Sequence, residues 1–305
     1  MIRFLLITTF FVQIGLSIPL LNRFLVPVYY STSFTYGYDS NILKFSDEEK
    51  SDSETEVWLL GDNELSSSVV KAGISLKYIP YVFENHDTHL NVKLNYSNFL
   101  NSLDKKYISY SVKLSQHLGP YEWLKLSYSL LPGLYLREYV DRDNPIYYPS
   151  ESSVDFESSS VSELYTSSFF SNQLSHIQYS NSIPFKKSYY SISYSNQKQF
   201  YNGEFTEFDL EMNNYKIGIF LRNIPHVKVS ANISKSVADN VTFQDGSISS
   251  QAKDRGFEQN RFWVSVSIDE KYSPFFDAIG VSTSIENRSF SSSLVTDPLH
   301  QGRSH

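Results

Sequence analysis

The sequence predicts an all-β fold, an antiparallel up-and-down transmembrane β-barrel of about 12 strands, and three observations predict it. Apolar and polar residues alternate with period 2 in segment after segment. The connections between these segments alternate long and short. Beyond the first residues, no stretch is apolar enough to cross a membrane as a helix. The 305 residues are 41% hydrophobic and 16% aromatic, with 23 Tyr and 22 Phe. Tyr and Phe beside abundant Ser and Asn suit a sheet with one apolar face and one wet face.

The start of the chain reads as a secretory leader, assigned to residues 1–17. Arg3 supplies the positive end, Phe4 to Leu16 is apolar but for Thr and Gln, and Gly15 and Ser17 are small residues at cleavage positions. The competing reading is an uncleaved anchor running to Leu21, against which Pro19 and Asn22 argue. With no cysteine, the chain offers no disulfide, thiolate or lipid attachment site. Residues 24–305 show no linker or shift in composition and are expected to form one domain.

The strands follow in order. Val28, Tyr30, Thr32, Phe34, Tyr36 and Tyr38 share a face opposite Ser31, Ser33, Thr35 and Gly37. The next apolar rows are Val70 to Tyr78, Leu90 to Tyr96, Ile108 to Leu114, and Leu124 to Leu130, each on every second residue. Ile177 and Tyr179 mark a weaker strand and Tyr190, Ile192 and Tyr194 a clear one. Tyr215 to Leu221, Val227 to Ile233, Phe262 to Ile268 and Ile279 to Ile285 complete about eleven. A helix would space its apolar residues three and four apart, which these segments do not.

The connections are long at 39–67, 131–170, 196–214 and 236–259, intermediate at 98–106, and short at 79–88, 117–120, near Pro184, at 223–225 and at 269–275. Long extracellular loops alternating with short periplasmic turns are a property of bacterial outer-membrane barrels, which places the N-terminus in the periplasm. Tyr29, Tyr30, Tyr36, Tyr38, Tyr78, Tyr107, Tyr121 and Trp123 gather at strand ends, as aromatic girdles would. Eleven strands conflict with the even count of single-chain barrels. The polar end from Asp297 to His305 is therefore expected to lie in an outer loop, with a returning strand missing; a strand overlooked in Val154 to Ser175, or an odd barrel, would serve as well.

Two short motifs carry a resemblance. Gly37-Tyr38-Asp39-Ser40-Asn41 resembles the opening of many bacterial outer-membrane barrels, and Asp297-Pro298-Leu299-His300-Gln301-Gly302-Arg303 is similar to a loop before their last strands. Some such barrels are joined to tetratricopeptide repeats, including those resembling surface lipoprotein assembly modifiers. This chain departs from them, because its first strand follows the leader with no repeat domain. The resemblance implies an outer-membrane barrel of unassigned substrate.

If the apolar rows face lipid, the alternate residues line the lumen. They include the basic set Lys71, Lys77, Lys93, Lys113, Lys125, Lys216, Arg222, Lys228 and Arg261, with few acids, Glu122 and Asp269 near turn ends. The net charge is −7, so the acids belong mostly to loops, as in the run Asp47 to Glu56 followed by Asp62 and Glu64. A basic lining attracts anions. The alternative is that these lysines are merely solvated or neutralised by loops folded inward. The acidic run lacks EF-hand spacing and reads as a solvated loop rather than a metal site.

No G-x-S-x-G elbow, H-x-x-x-H pair, phosphate loop or dinucleotide fingerprint is present. His176 adjoins Ser175, but neighbours on a strand point to opposite faces and cannot act as a nucleophile–base pair. With a pI near 5.5 the chain has no nucleic-acid footprint. The expectation is a non-enzymatic, cofactor-free outer-membrane channel or translocation barrel with an anion-preferring lumen. Its partners would be outer-membrane lipid and lipopolysaccharide, the barrel assembly machinery, and small anionic solutes. A barrel-anchored surface binding or adhesion protein is the alternative, and a soluble secreted all-β protein the third.

Overall fold

The structure, a computed structural model, describes residues 22–47, 50–51, 64–83, 86–102, 105–140, 165–184, 187–201, 208–223, 226–241, 255–269, 278–291 and 303–304. The leader and residues 297–302 of the second motif lie outside these.

The described residues form one antiparallel sheet in which every strand pairs with its neighbours in sequence. The strands are β1 (Val28–Asp39), β2 (Ser67–Tyr78), β3 (Thr88–Phe99), β4 (Lys106–Gly119), β5 (Glu122–Val140), β6 (Tyr165–Ser182), β7 (Tyr189–Tyr201), β8 (Leu210–Leu221), β9 (Val227–Asn240), β10 (Phe257–Asp269), β11 (Ala278–Phe290) and the two-residue β12 (Arg303–Ser304). The up-and-down all-β expectation holds, and so does the order of the strands. Where the terminal segment was expected to be loop throughout, Arg303 and Ser304 pair with Arg288 and Asn287 of β11. Among the described residues, β1 pairs only with β2.

The predicted rows are coherent across the sheet, because register aligns them. Val28 to Tyr78 pairing sets Phe34 against Ala72 and Thr32 against Ile74. From there apolar residue faces apolar residue: Ile74 with Leu94, Leu94 with Tyr110, Leu126 with Ile177, Ile192 with Ile217, Ile217 with Ile233, and Ile233 with Phe262. These rows are not buried. Phe34 is 73% exposed, Ile217 50% and Val281 72%. Buried side chains on the sheet are mostly small and polar and lie on the other face, among them Ser97, Ser115, Ser191 and Asn232. Such a surface is inverted relative to a protein that folds by hiding its apolar residues from water.

Several strands run further than the alternation predicted. β5 reaches Val140 and β6 starts at Tyr165, so the fifth connection is 141–164 rather than 131–170. The cause is visible on the apolar face of β7 and β8. Past Tyr194 and Tyr215 that face carries Asn196, Lys198, Glu211 and Asn213, joined by Asn196–Glu211 and Tyr194–Asn213 hydrogen bonds of 2.6 Å and a Lys198–Glu211 ion pair of 3.4 Å. Lys235 and Glu258 pair at 3.2 Å at the same level of β9 and β10. Hydrophobic alternation thus ends before the strand does. Along β2 the apolar row from Val70 to Tyr78 spans roughly 26 Å, and along β8 that from Tyr215 to Leu221 roughly 20 Å, at ~3.3 Å per residue.

The aromatic expectation needs correction at four positions. Trp123 pairs with His117, and Tyr29 with Lys77, so both belong to the polar face, as does Tyr107 opposite Ser97. Tyr121 sits in the two-residue turn between β4 and β5 with φ 61, and its ring stacks on Tyr189, a polar-face residue. Closeness to a strand end does not fix which face a side chain occupies; its parity along the strand does. Glu122 moves the other way: it shares parity with Leu124, and its carboxylate accepts a hydrogen bond of 2.7 Å from Tyr179 on the apolar face. It is not an inward acid.

Candidate functional site

All nine predicted basic residues fall on the polar face or at its margin, and register gathers most of them into a band. Lys77 stands opposite Asn91, Asn91 opposite Lys113, Lys113 opposite Ser127, and Ser127 opposite His176. The same row continues through Ser195, Asn214, Ser236 and Gln259 to Arg288. The adjacent row runs from His89 through Ser115 to Lys125, and on through Gln178 and Ser193 to Lys216, Ser234, Arg261 and Glu286. The band is oblique. Lys77 is beside the short connection after β2, and Arg288 is close to the far end of β11. Lys93 lies one step loop-ward of Lys77, opposite Ser75 and Ser111, and Lys71 lies nearer the loops, opposite Thr35 and Ser97. Lys228 stands opposite Ser267, below the band. Arg222 follows β8 and lies 5.7 Å from the Tyr189 ring.

Electrostatically the band has two parts. Towards β11 it is compensated: Glu286 meets Arg261 at 4.0 Å and Arg288 at 3.1 Å, and Arg288 also donates to Gln259. Lys216 and Arg261 flank Trp263, at 4.6 and 5.4 Å from its ring. Towards β2–β5 no described carboxylate forms an ion pair with Lys77, Lys93, Lys113 or Lys125. Lys113 and Lys125 are close enough to repel each other, and both act on His176. Sequence reasoning missed His89, His176, Glu286 and Arg288 as members. Continuing the alternation three residues past Ile285 would have found the last two.

A cavity of about 370 Å³ opens in the uncompensated part, lined by Lys77, His89, Asn91, Lys113, Trp123 and Lys125, with Ser115 beside them. Trp123 is held from below by His117, whose ring lies 4.7 Å away, and from the side by His89 at 5.7 Å. A smaller hollow of about 210 Å³ lies between Ser33, Gly73, Asn95 and Lys93. It depends on glycine, since a Cβ at Gly73 would sit 2.6 Å from the Ser33 hydroxyl. Ser175 and His176 face opposite ways, opposite Tyr128 and Ser127 respectively. Among the described residues no three His, Asp or Glu side chains gather as metal ligands.

At the loop-ward end the first long connection turns over the polar face. Its turn is built by the Gly37-Tyr38-Asp39-Ser40-Asn41 motif. Asp39 accepts from the Asn41 amide and pairs with Lys44 at 3.1 Å, while the Asn41 side chain both donates to and accepts from the Phe45 backbone, at 2.8 and 2.9 Å. Ile42, Leu43 and Phe45 are thereby packed with Val69, Phe99 and Tyr135. Val69 and Phe99 are register partners on the polar face. Lys105, 6% exposed, donates to the Ile42 carbonyl and, at 3.4 Å, to that of Leu136. The loop therefore reaches from β1 across to β5.

Burial, reinforced by Lys44 and opposed by Asp39, pushes the Lys105 ammonium down from 10.5 to about 8. The folded state then holds this proton less tightly than the unfolded chain. Stability should rise as pH increases from about 8 towards 10.5, and the full penalty of the buried charge is present below 8. Denaturant titrations at pH 7 and pH 10 should show this rise, and Lys105→Met should abolish that part of it.

The fold and the site together define a class: an antiparallel β-meander with an exposed apolar face and a cationic polar face. Compared with known proteins, the chain matches no family model, and no curated protein sequence matches it.

Proposed function

We propose that this chain is a bacterial outer-membrane β-barrel, exported by a cleaved leader, whose basic lumen conducts or binds anionic solutes. The observation that carries the reading is the pairing of two faces. Rows of Ile, Leu, Val, Phe and Tyr stand exposed across β1 to β11, and directly behind them runs a band of lysines with no described counter-charge in its β2–β5 part. Exposed apolar rows of this extent are costly in water and favourable in hydrocarbon. Only a closed barrel lets strands cross a bilayer, because an open edge leaves backbone groups unsatisfied. In this reading the free edge of β1 is paired in the membrane. Strands of outer-membrane barrels tilt by ~35–45°, so rows of roughly 20–26 Å along the strand stand about 14–21 Å tall, inside the ~25 Å apolar band of such barrels. The Lys198–Glu211 and Lys235–Glu258 pairs then mark its outer boundary.

The segment Ile42 to Phe45 narrows the loop-ward mouth, and the cationic band forms a ramp from the periplasmic turn after β2 to the outer end of β11. Along the band an anion meets cations on β2, β4, β5, β8, β10 and β11, with His176 and Ser195 spanning β6 and β7, and the arginines of β10 and β11 sharing Glu286. Purified protein in planar bilayers under a KCl gradient should give a reversal potential of the sign for chloride preference. A cation-preferring conductance, or none, contradicts the proposal. A second reading, a surface-binding protein anchored by the barrel, draws on the extension of β5 and β6 well past the apolar rows, which lifts their connection away from the membrane. Binding to a surface ligand with no conductance would favour it.

A further inference from the structure

We propose that the cavity between β2, β3, β4 and β5 is a binding site for an anionic saccharide, whose sugar ring lies on the Trp123 indole and whose carboxylate or phosphate is held by Lys77, Lys113 and Lys125. The inference rests on the lumen reading above and deepens it. A plain conduction path needs only cations. This site adds three things to them.

First, the cavity of about 370 Å³ is at the small end of ligand pockets, fitting one sugar unit or two rather than a polymer. Second, it contains Trp123, one of only three tryptophans in the chain, on a face otherwise dominated by Ser, Asn and Lys. An aromatic plane offers sugar C–H groups an apolar floor while the hydroxyls remain free to hydrogen-bond. His117 and His89 pack against this ring and fix its orientation, so little side-chain freedom is lost on binding. Third, the polar partners are suited to hydroxyls as well as to charge. Asn91 and His89 supply donors and acceptors beside the ammonium groups. Lys113 and Lys125, on paired strands in adjacent rows, repel each other, so an anion between them relieves that repulsion. Lys77 approaches from β2 across Asn91, in the same row as Lys113.

The remaining candidate sites lack one of these elements. The Lys216–Trp263–Arg261 group has cations and an aromatic ring, but Glu286 already engages Arg261. The hollow at Gly73 has Lys93 but no ring.

The test is calorimetric titration of the full-length protein in detergent micelles with glucose 6-phosphate, glucuronate, glucose and inorganic phosphate. Glucose 6-phosphate or glucuronate should bind at least about tenfold more tightly than both glucose and inorganic phosphate. Trp123→Ala should remove the advantage over inorganic phosphate, Trp123→Tyr should retain most of it, and Lys113→Gln with Lys125→Gln should weaken every anion. Circular dichroism and heat-modifiable gel mobility establish that each variant is folded. The reversal potential of the unaltered protein in bilayers, measured without sugar, tests the channel reading by itself, so chloride preference without selective sugar binding overturns this site alone. Equal affinity for inorganic phosphate and the charged sugars would reduce the cavity to a general anion site and overturn the proposal. So would binding that is unaffected by Trp123→Ala, or the absence of binding.

Discussion

Replacing Lys113 and Lys125 together by glutamate should abolish most of the anion preference of the conductance. These two lysines occupy adjacent rows of neighbouring strands and act on each other electrostatically. No described carboxylate neutralises either of them. The double replacement removes two positive charges and installs two negative ones within a Debye length, about 8–10 Å at physiological salt, of any ion passing the band. Ion selectivity in wide pores follows the sign of such rings of charge. The reversal potential in a KCl gradient should therefore move from the chloride side towards zero, and the difference from the wild type should be larger at low ionic strength. Lys198→Glu is the matched control, because Lys198 lies on the apolar face beyond Tyr194 and pairs with Glu211. It should leave the selectivity alone. Unchanged selectivity in the double variant would remove the band from the ion path.

Introducing arginine at Ile217 should be the most damaging single change to stability. Ile217 lies in the middle of the apolar rows, paired with Ile192 and Ile233, and is half exposed. In lipid, an outward arginine at the bilayer midplane costs about 2–4 kcal/mol. In a water-soluble protein the same change at a half-exposed strand position would cost about 0.5 kcal/mol or less. Ser195→Arg, on the polar face opposite His176 and Asn214, is the comparison, and should be tolerated far better. Denaturant unfolding from liposomes measures both. Similar losses at the two positions would mean that the faces are not chemically distinct environments.

Much of this was legible in the sequence because a strand has a period of two and nothing else is needed to sort its side chains. Lys216 and Ile217 could be assigned to opposite faces from their neighbours alone. What alternation does not contain is the alignment between strands. That Lys113 stands level with Lys77 and His176 is a fact of pairing, and pairing is set by turns and cross-strand contacts. Strand length was underestimated where the apolar face becomes polar, as at Asn196 and Asn213, because the hydrophobic signal stops there while the backbone ladder continues. The inward turn of Ile42 to Phe45 had no periodicity to announce it. The Asp39 and Asn41 side chains that build it were visible as a motif but not as a structure. The place of Trp123 near a turn suggests a girdle residue, but the parity of Leu124 and Leu126 puts it on the other side.

The account rests on alternate residues of one strand meeting lipid and water. Because the chain has no cysteine, single cysteines can be placed without a background. Fluorophores on Cys variants of Ile192, Ile217 and Ile219 should be quenched by nitroxide-bearing acyl chains in liposomes and should resist a water-soluble quencher. Those on Ser193, Lys216 and Ser195 should show the reverse. A strand along which both quenchers act equally at odd and even positions, or a protein that stays in the aqueous phase, would contradict the membrane barrel and the anion path with it.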